Sequence, residues 1–138
     1  MASKVFKNII IGLVLVSILG MAAIIYILMN QDDPNRELTI DEQIEYSYMT
    51  ESVNIDLADN RYAQLQFNII TNNEDAKAEV EKRMFQFKNI LIKQTVEMES
   101  SVLQNDLSGF ENRLKDEMNV LMEEGEITDI YLISKIVQ

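Results

Sequence analysis

Apolar and polar positions divide the chain into stretches of different period. From Ile9 to Met29 the sequence IIIGLVLVSILGMAAIIYILM carries no charge, and no helical face is left for water. At about 1.5 Å rise per helical residue the run spans roughly 30 Å, the thickness of a bilayer's hydrocarbon core. A helix is the natural way for a lone segment to cross lipid, because its backbone groups are satisfied internally. A cleaved signal peptide would have an apolar run of only about 7–15 residues followed by small residues. Gly20, Ala22 and Ala23 imitate such a site, but the residues from Ile24 to Met29 continue the run past it. A buried core helix would show a polar face over this length. The pattern therefore predicts a retained membrane anchor with limits at Ile9 and Met29. Within it, Ser17, Gly20 and Ala23 recur at i, i+3 and i+6, a small-residue row where another helix can approach closely. Simple tethering is the plainer reading, since no small-x-x-x-small pair is present.

Residues 30–50 (NQDDPNRELTIDEQIEYSYMT) are polar and acidic and hold the one proline, Pro34. They read as a linker that holds a domain off the membrane. Thr39-Ile40-Asp41-Glu42 has the spacing of a capping box, and Ile40, Ile44 and Tyr48 fall on one helical face, so a short helix inside a partly ordered spacer stays open.

In residues 51–138 both periods occur. Val53, Ile55 and Leu57 alternate with polar residues, Asp59-Asn60 supplies a turn, and Ala63, Leu65, Phe67 and Ile69 alternate with Gln64, Gln66 and Asn68. This period of two predicts a half-buried antiparallel hairpin. Thr71-Asn72-Asn73-Glu74 reads as a second capping box that opens a charged helix through about Arg83. Met84, Phe87, Leu91, Met98 and Val102 then recur at helical spacing and predict a long amphipathic helix, with its junction to the first left open. Ser108-Gly109-Phe110-Glu111 reads as a third box. Phe110, Leu114, Met118, Leu121 and Met122 form the stripe of the next helix, with Gly125 placed for a left-handed cap. Residues 127–137 (ITDIYLISKIV) are apolar on both faces and rich in β-branched residues, which predicts a strand packed on both sides or at an interface. The sum is a small α+β domain: hairpin, two or three helices and a closing strand.

Charge and composition remove most chemistry. Lys4 and Lys7 precede the anchor and all 23 acidic residues follow it, so ten basic residues there leave a net charge of −13. By the positive-inside tendency the tail, residues 1–8, stays cytoplasmic and the domain lies outside. Such a field repels nucleic acid and suits solubility or a basic partner. No histidine or cysteine is present, which excludes common zinc sites, cysteine nucleophiles, Ser-His-Asp arrangements and disulfides. Two of the four glycines, Gly12 and Gly20, lie in the anchor, and no phosphate-cradling loop exists. Asp32-Asp33 and Glu123-Glu124-x-Glu126 lack the spacing of a calcium loop. The expectation is a protein without catalysis, metal, cofactor or small-molecule substrate.

Several stretches resemble the flagellar basal-body-associated protein FliL family. Val53-Asn54-Ile55-Asp56-Leu57 followed by Arg61-Tyr62 and Leu65 is similar to the family's first hairpin, and Phe87-Lys88-Asn89-Ile90-Leu91-Ile92 to its central helix. Gly109 before Leu114-Lys115, then Asn119, Leu121 and Gly125, is similar to the helix ahead of the last strand. Ile130-Tyr131-Leu132 through Ile136-Val137-Gln138 resembles the closing strand, which in the family typically ends on Gln. The likeness covers residues 52–138, with anchor and acidic linker in the same order. Phe85 stands near the place of a frequent proline, and Lys88 and Asn89 replace the usual Arg and Asp, so no bidentate arginine contact is available there.

The resemblance implies a stomatin/prohibitin-like domain outside the bacterial cytoplasmic membrane, on a single-pass anchor. It also implies a homo-oligomeric ring around or beside the stator units MotA and MotB, in support of flagellar rotation, swarming and chemotaxis. The competing class is a membrane-anchored sensor or assembly factor for an extracytoplasmic ligand, against which stands a tail of eight residues, too short for a signalling module.

Overall fold

The computed structural model describes residues 2–30 and 36–138, and the chain forms two units that part between residues 37 and 38. The first contains α1, Ala2–Asn30, a helix long and apolar enough to cross a membrane. It starts ahead of Ile9 and takes in Lys4 and Lys7, because nothing between Ala2 and Ile9 breaks a helix. Asp32, Asp33 and Pro34 lie outside the described residues.

The second unit begins earlier than the hydrophobic pattern suggested. Residues 38–50, read above as the latter half of a linker, are folded. Thr39 caps α2, Ile40–Glu45, in a reciprocal box: its hydroxyl accepts from the Glu42 N–H at 3.3 Å and the Glu42 carboxylate accepts from the Thr39 N–H at 2.9 Å. Strand β1, Ser47–Met49, follows and joins the sheet. Long-range pairing, invisible in a local polar pattern, makes this segment part of the domain.

Strand β2, Val53–Asp56, pairs antiparallel with β3, Tyr62–Thr71, through a turn in which Asn60 takes the left-handed conformation (φ 60°). β3 is the central strand. One of its edges takes β2 and then β1 in tandem, and β4, Ile127–Val137, runs antiparallel along the other. Thr50 bridges the gap between β1 and β2. Its N–H donates to the Phe67 carbonyl at 2.9 Å, and its hydroxyl oxygen accepts from the Phe67 N–H at 3.0 Å, so a side chain stands in for a missing ladder bond.

The helices cover one face of this sheet. α3, Glu74–Lys82, and α4, Met84–Thr95, are separate, with Arg83 closing one and opening the other. The N-cap of α3 is Asn73, whose side chain accepts from the Ala76 N–H at 2.8 Å. Thr71 does not cap it: this residue ends β3, and its hydroxyl donates to the Tyr46 carbonyl at 2.7 Å. The long helix expected beyond Met84 stops at Thr95, whose hydroxyl bonds back to the Leu91 carbonyl at 2.8 Å. The chain then turns so that the Met98 carbonyl accepts from the Ala58 N–H, and Asp59 accepts from the Ser100 N–H. A short α5, Val102–Asn105, leads into α6, Leu107–Asn119. Ser108 lies inside α6 and caps nothing; Asp106 occupies the N-cap position.

The core is where the two periods meet. Leu65, Phe67 and Ile69 from β3, Phe87 and Leu91 from α4, and Phe110, Leu114 and Met118 from α6 are fully buried. Phe67 sits edge-on to Phe87 with ring centroids 5.4 Å apart, and the Phe110 ring centroid lies 6.3 Å from that of Phe67. Burial of each such side chain contributes roughly 1.5–3 kcal/mol, which a domain of this size needs. Leu121 and Met122 pack on the core from beyond the end of α6.

Candidate functional site

Two asparagines and one glutamate fix the loop that delivers β4. Asn72 accepts from the Glu126 N–H at 3.0 Å, and Asn73 donates to the Glu124 carbonyl at 3.2 Å. Gly125 lies between them at φ +155°, where a Cβ would stand 2.5 Å from the Asn72 amide oxygen and 2.6 Å from the Asn73 amide nitrogen. The glycine expected as the cap of α6 instead makes this turn, while α6 ends on Val120 in ordinary helical geometry. Glu79, on α3, is buried and accepts from the N–H groups of Glu123 and Glu124 at 3.0 and 2.8 Å and from Arg83 Nε at 2.7 Å. Burial alone would raise its pKa. The bonds from Glu124, Arg83 and Glu123 outweigh that and hold it below the usual carboxylate range. Glu123-Glu124-x-Glu126 thus serves through its backbone: the first two N–H groups donate to a buried structural carboxylate and the third to the Asn72 side chain.

β4 is an edge strand and not an interior one. The Tyr62–Gln138 pair exchanges two backbone bonds, at 3.0 and 2.8 Å. Alternation along an antiparallel ladder then turns the backbone groups of Val137, Lys135 and Leu132 away from β3. Side chains satisfy part of this free edge: Asn119 bonds both backbone groups of Ile127, and Glu111 accepts from the Leu132 N–H at 2.8 Å. These contacts blunt an edge that would otherwise pair with another chain. Ile127 and Ile130 are buried, whereas Tyr131, Ile133 and Ile136 are exposed, so the apolar character of both faces splits into a core half and a surface half. The Tyr131 hydroxyl is pushed upward in pKa, first by the charge of Asp129, then by burial and Glu111.

Further exposed apolar residues lie on helices. On α4 and its C-cap, Phe85, Ile92 and Val96 are exposed at i, i+7 and i+11, one stripe opposite the buried Phe87 and Leu91. Beside it a groove of about 610 Å³ is lined by Phe85, Asn89, Ile90, Lys93, Val120 and Leu121, among others, with Val120 84% exposed. On α2, Ile40 and Ile44 are 68% and 67% exposed. Sequence periodicity found the buried stripe of α4 and passed over the exposed one. The signal was the run of apolar positions wider than one face.

On α1, Ser17, Gly20 and Ala23 form a slanting row; the Ser17 hydroxyl donates to the Leu13 carbonyl at 2.9 Å, and nothing lies within 4 Å of where a Gly20 Cβ would stand. The limits Ile9 and Met29 both fall inside this helix.

These features define a class: a small α+β domain with exposed helical surfaces, carried by a chain whose N-terminal helix suits a membrane. The chain is 26% identical over 118 residues to flagellar protein FliL of Bacillus subtilis (strain 168), across 84% of each chain. No family model matches it. That similarity supports the resemblance to the FliL family drawn from the order of segments above.

Proposed function

We propose that this protein is a non-enzymatic, single-pass component of the bacterial flagellar basal body. Its tail lies in the cytoplasm, α1 crosses the cytoplasmic membrane, and the domain outside self-associates as a ring around or beside the stator units MotA and MotB. In that position it supports rotation, swarming and chemotaxis by contact. The observation that carries this reading is the similarity to flagellar protein FliL, which runs over 84% of the chain. A sequence without histidine or cysteine, and exposed apolar residues on α2 and α4, support action through surfaces. The Ser17, Gly20 and Ala23 row gives the anchor a place to meet a stator helix, and Gly20→Leu tests it by co-purification.

The decisive experiment is a deletion strain scored for swimming and swarming, alongside cross-linking of the full-length protein in membranes with and without the stator proteins. A motility defect, and oligomers that also capture stator subunits, are expected. A monomeric protein in a strain that swarms normally would refute the proposal.

A further inference from the structure

We infer that two copies of the domain pair edge to edge through β4, as one antiparallel ladder with a two-fold axis beside Ile136. This rests on the self-association proposed above and names its first contact. The β4 edge is covered along part of its length: Asn119 bonds both backbone groups of Ile127, and Glu111 takes the N–H of Leu132. That cover ends at a bulge. The ladder shifts register between Gln66 and Phe67 and leaves Ile133 as the extra residue. Beyond it Ser134, Lys135 and Ile136 are exposed, and Val137 is half-buried. The N–H and C=O groups of Lys135 and Val137 turn away from β3, and among the described residues no protein group bonds them. An eleven-residue strand therefore ends in an open template for another strand.

The sheet selects a second β4 as the occupant. Its opposite edge is a poor match. β1 there is three residues long and parted from β2 at residues 50–52. At the far end of β2 the turn after α4 stands against the edge, where the Met98 carbonyl accepts from the Ala58 N–H at 3.0 Å. Two copies of β4, by contrast, fit in one register. Residues that both turn outward must face each other, so the centre falls on Lys135, Ile136 or Val137. A centre on Lys135 sets two ammonium groups opposite each other, and like charges so placed are destabilising. β4 ends at Val137, so a centre there pairs that residue alone. Centred on Ile136, each Lys135 faces Val137 of the other copy and exchanges both backbone bonds with it. Ile136, 50% exposed, then faces its own counterpart in a close pair on the sheet face away from the helices. A lysine across an edge is a common guard, but the Lys135 ammonium is held back on the Leu103 carbonyl at 2.9 Å. Residues 130–138 contain no acid, so the paired strands set no carboxylate side chain against another.

The consequence is geometric. Strand addition at a sheet edge is a recurring mode of recognition, and here it joins two four-stranded sheets into one. The contact is isologous and closes on itself, so it makes pairs, and a ring takes a second, different contact between pairs. A ladder this short buries little surface and is weak between free domains. Confinement of tethered copies to one membrane raises their effective concentration and favours it.

The chain has no native cysteine, which permits a direct test. Full-length Ile136→Cys and Ser134→Cys variants are expressed separately in membranes and mildly oxidised. Both residues are exposed on the same sheet face, so neither substitution touches the core. Opposed Cβ atoms in the close pair lie about 4.5–5.5 Å apart, near enough for a disulfide. The two Ser134 positions stand roughly 14 Å apart along the ladder and cannot be bridged. A disulfide-linked dimer is expected from Ile136→Cys, with little from Ser134→Cys. Added to Ile136→Cys, Lys135→Pro removes one outward N–H per copy and should cut the dimer at least about fivefold, whereas Lys135→Ala keeps that N–H and the dimer. Equal dimer from Ser134→Cys would overturn the register, as would Ile136→Cys joining Asn54→Cys of a differently tagged copy in place of itself. A lysine-reactive cross-linker applied to the same membranes separates the failures. Oligomers without the Ile136 disulfide would overturn this interface and leave self-association standing. Monomers by both reagents would overturn both.

Discussion

The side chain of Asn119 pairs with Ile127 as a neighbouring strand would: its amide oxygen accepts from the Ile127 N–H at 2.7 Å and its NH₂ donates to the Ile127 carbonyl at 2.9 Å. Asn119 is the last residue of α6 and Ile127 the first of β4, so one amide joins helix end to sheet edge. Ile127 is 2% exposed, and its backbone groups have little access to replacement water. Asn119→Ala should therefore cost about 1–3 kcal/mol, the penalty for buried polar groups left unpaired. Thermal melting of the isolated residues 38–138 reads this directly. A melting temperature unchanged by Asn119→Ala would show that water satisfies the strand end.

Glu79 gives the domain a pH dependence with a definite sign. Its folded pKa lies below the ordinary value of 4.5, because Glu123, Glu124 and Arg83 bond its charged form despite burial. The stabilisation is complete above the unfolded pKa and is lost as pH falls through the folded one. Glu79→Gln should cost about 2 kcal/mol at pH 7, typical of charge-assisted bonds, and the deficit should shrink below pH 4.5. Stability measured by denaturant from pH 7 to pH 3 tests this. A deficit constant across that range would remove the charge from the explanation.

The hairpin was legible because a period of two is local: Ala63, Leu65, Phe67 and Ile69 face the core as their alternation predicts. The stripe of Phe110, Leu114 and Met118 was legible for the same reason. Caps were not. Thr71 has the composition of a cap, but the carbonyl of Tyr46, at the end of α2, takes its hydroxyl, and Asn73 inherits the role. Glu79 reads as one acid among many on a charged helix, since its partners Glu123 and Glu124 lie more than forty residues away. β4 shows why two-faced apolar strands are ambiguous. Its sequence fits an interior position equally well, and only the register against β3 reveals a free edge.

Gly125 should tolerate no side chain. Its φ of +155° lies where L residues are rare, and a Cβ there would also stand 2.9 Å from that of Ala76, which is itself fully buried. Gly125→Ala should cost about 2 kcal/mol or more, as backbone strain adds to overpacking. Gly20→Ala, in open space on α1, is the control and should leave the domain's melting unchanged. Equal melting of Gly125→Ala and the parent would mean the loop relaxes freely, and with it the Asn72–Glu126 bond.

The topology proposed for the chain is testable at Ser52, an exposed residue just ahead of β2. Lys4 and Lys7 lie on the N-terminal side of the apolar run and all 23 acids beyond it, the distribution on which the proposed cytoplasmic tail rests. Ser52→Cys introduces the chain's only thiol, so labelling is unambiguous. A membrane-impermeant maleimide should react with it in intact spheroplasts to the same extent as after lysis. Replacing Lys4 and Lys7 with glutamate should lower that fraction, because it removes the basic residues that retain the tail. Labelling confined to lysed cells would put the domain in the cytoplasm and end the proposed encounter with extracytoplasmic parts of the stator.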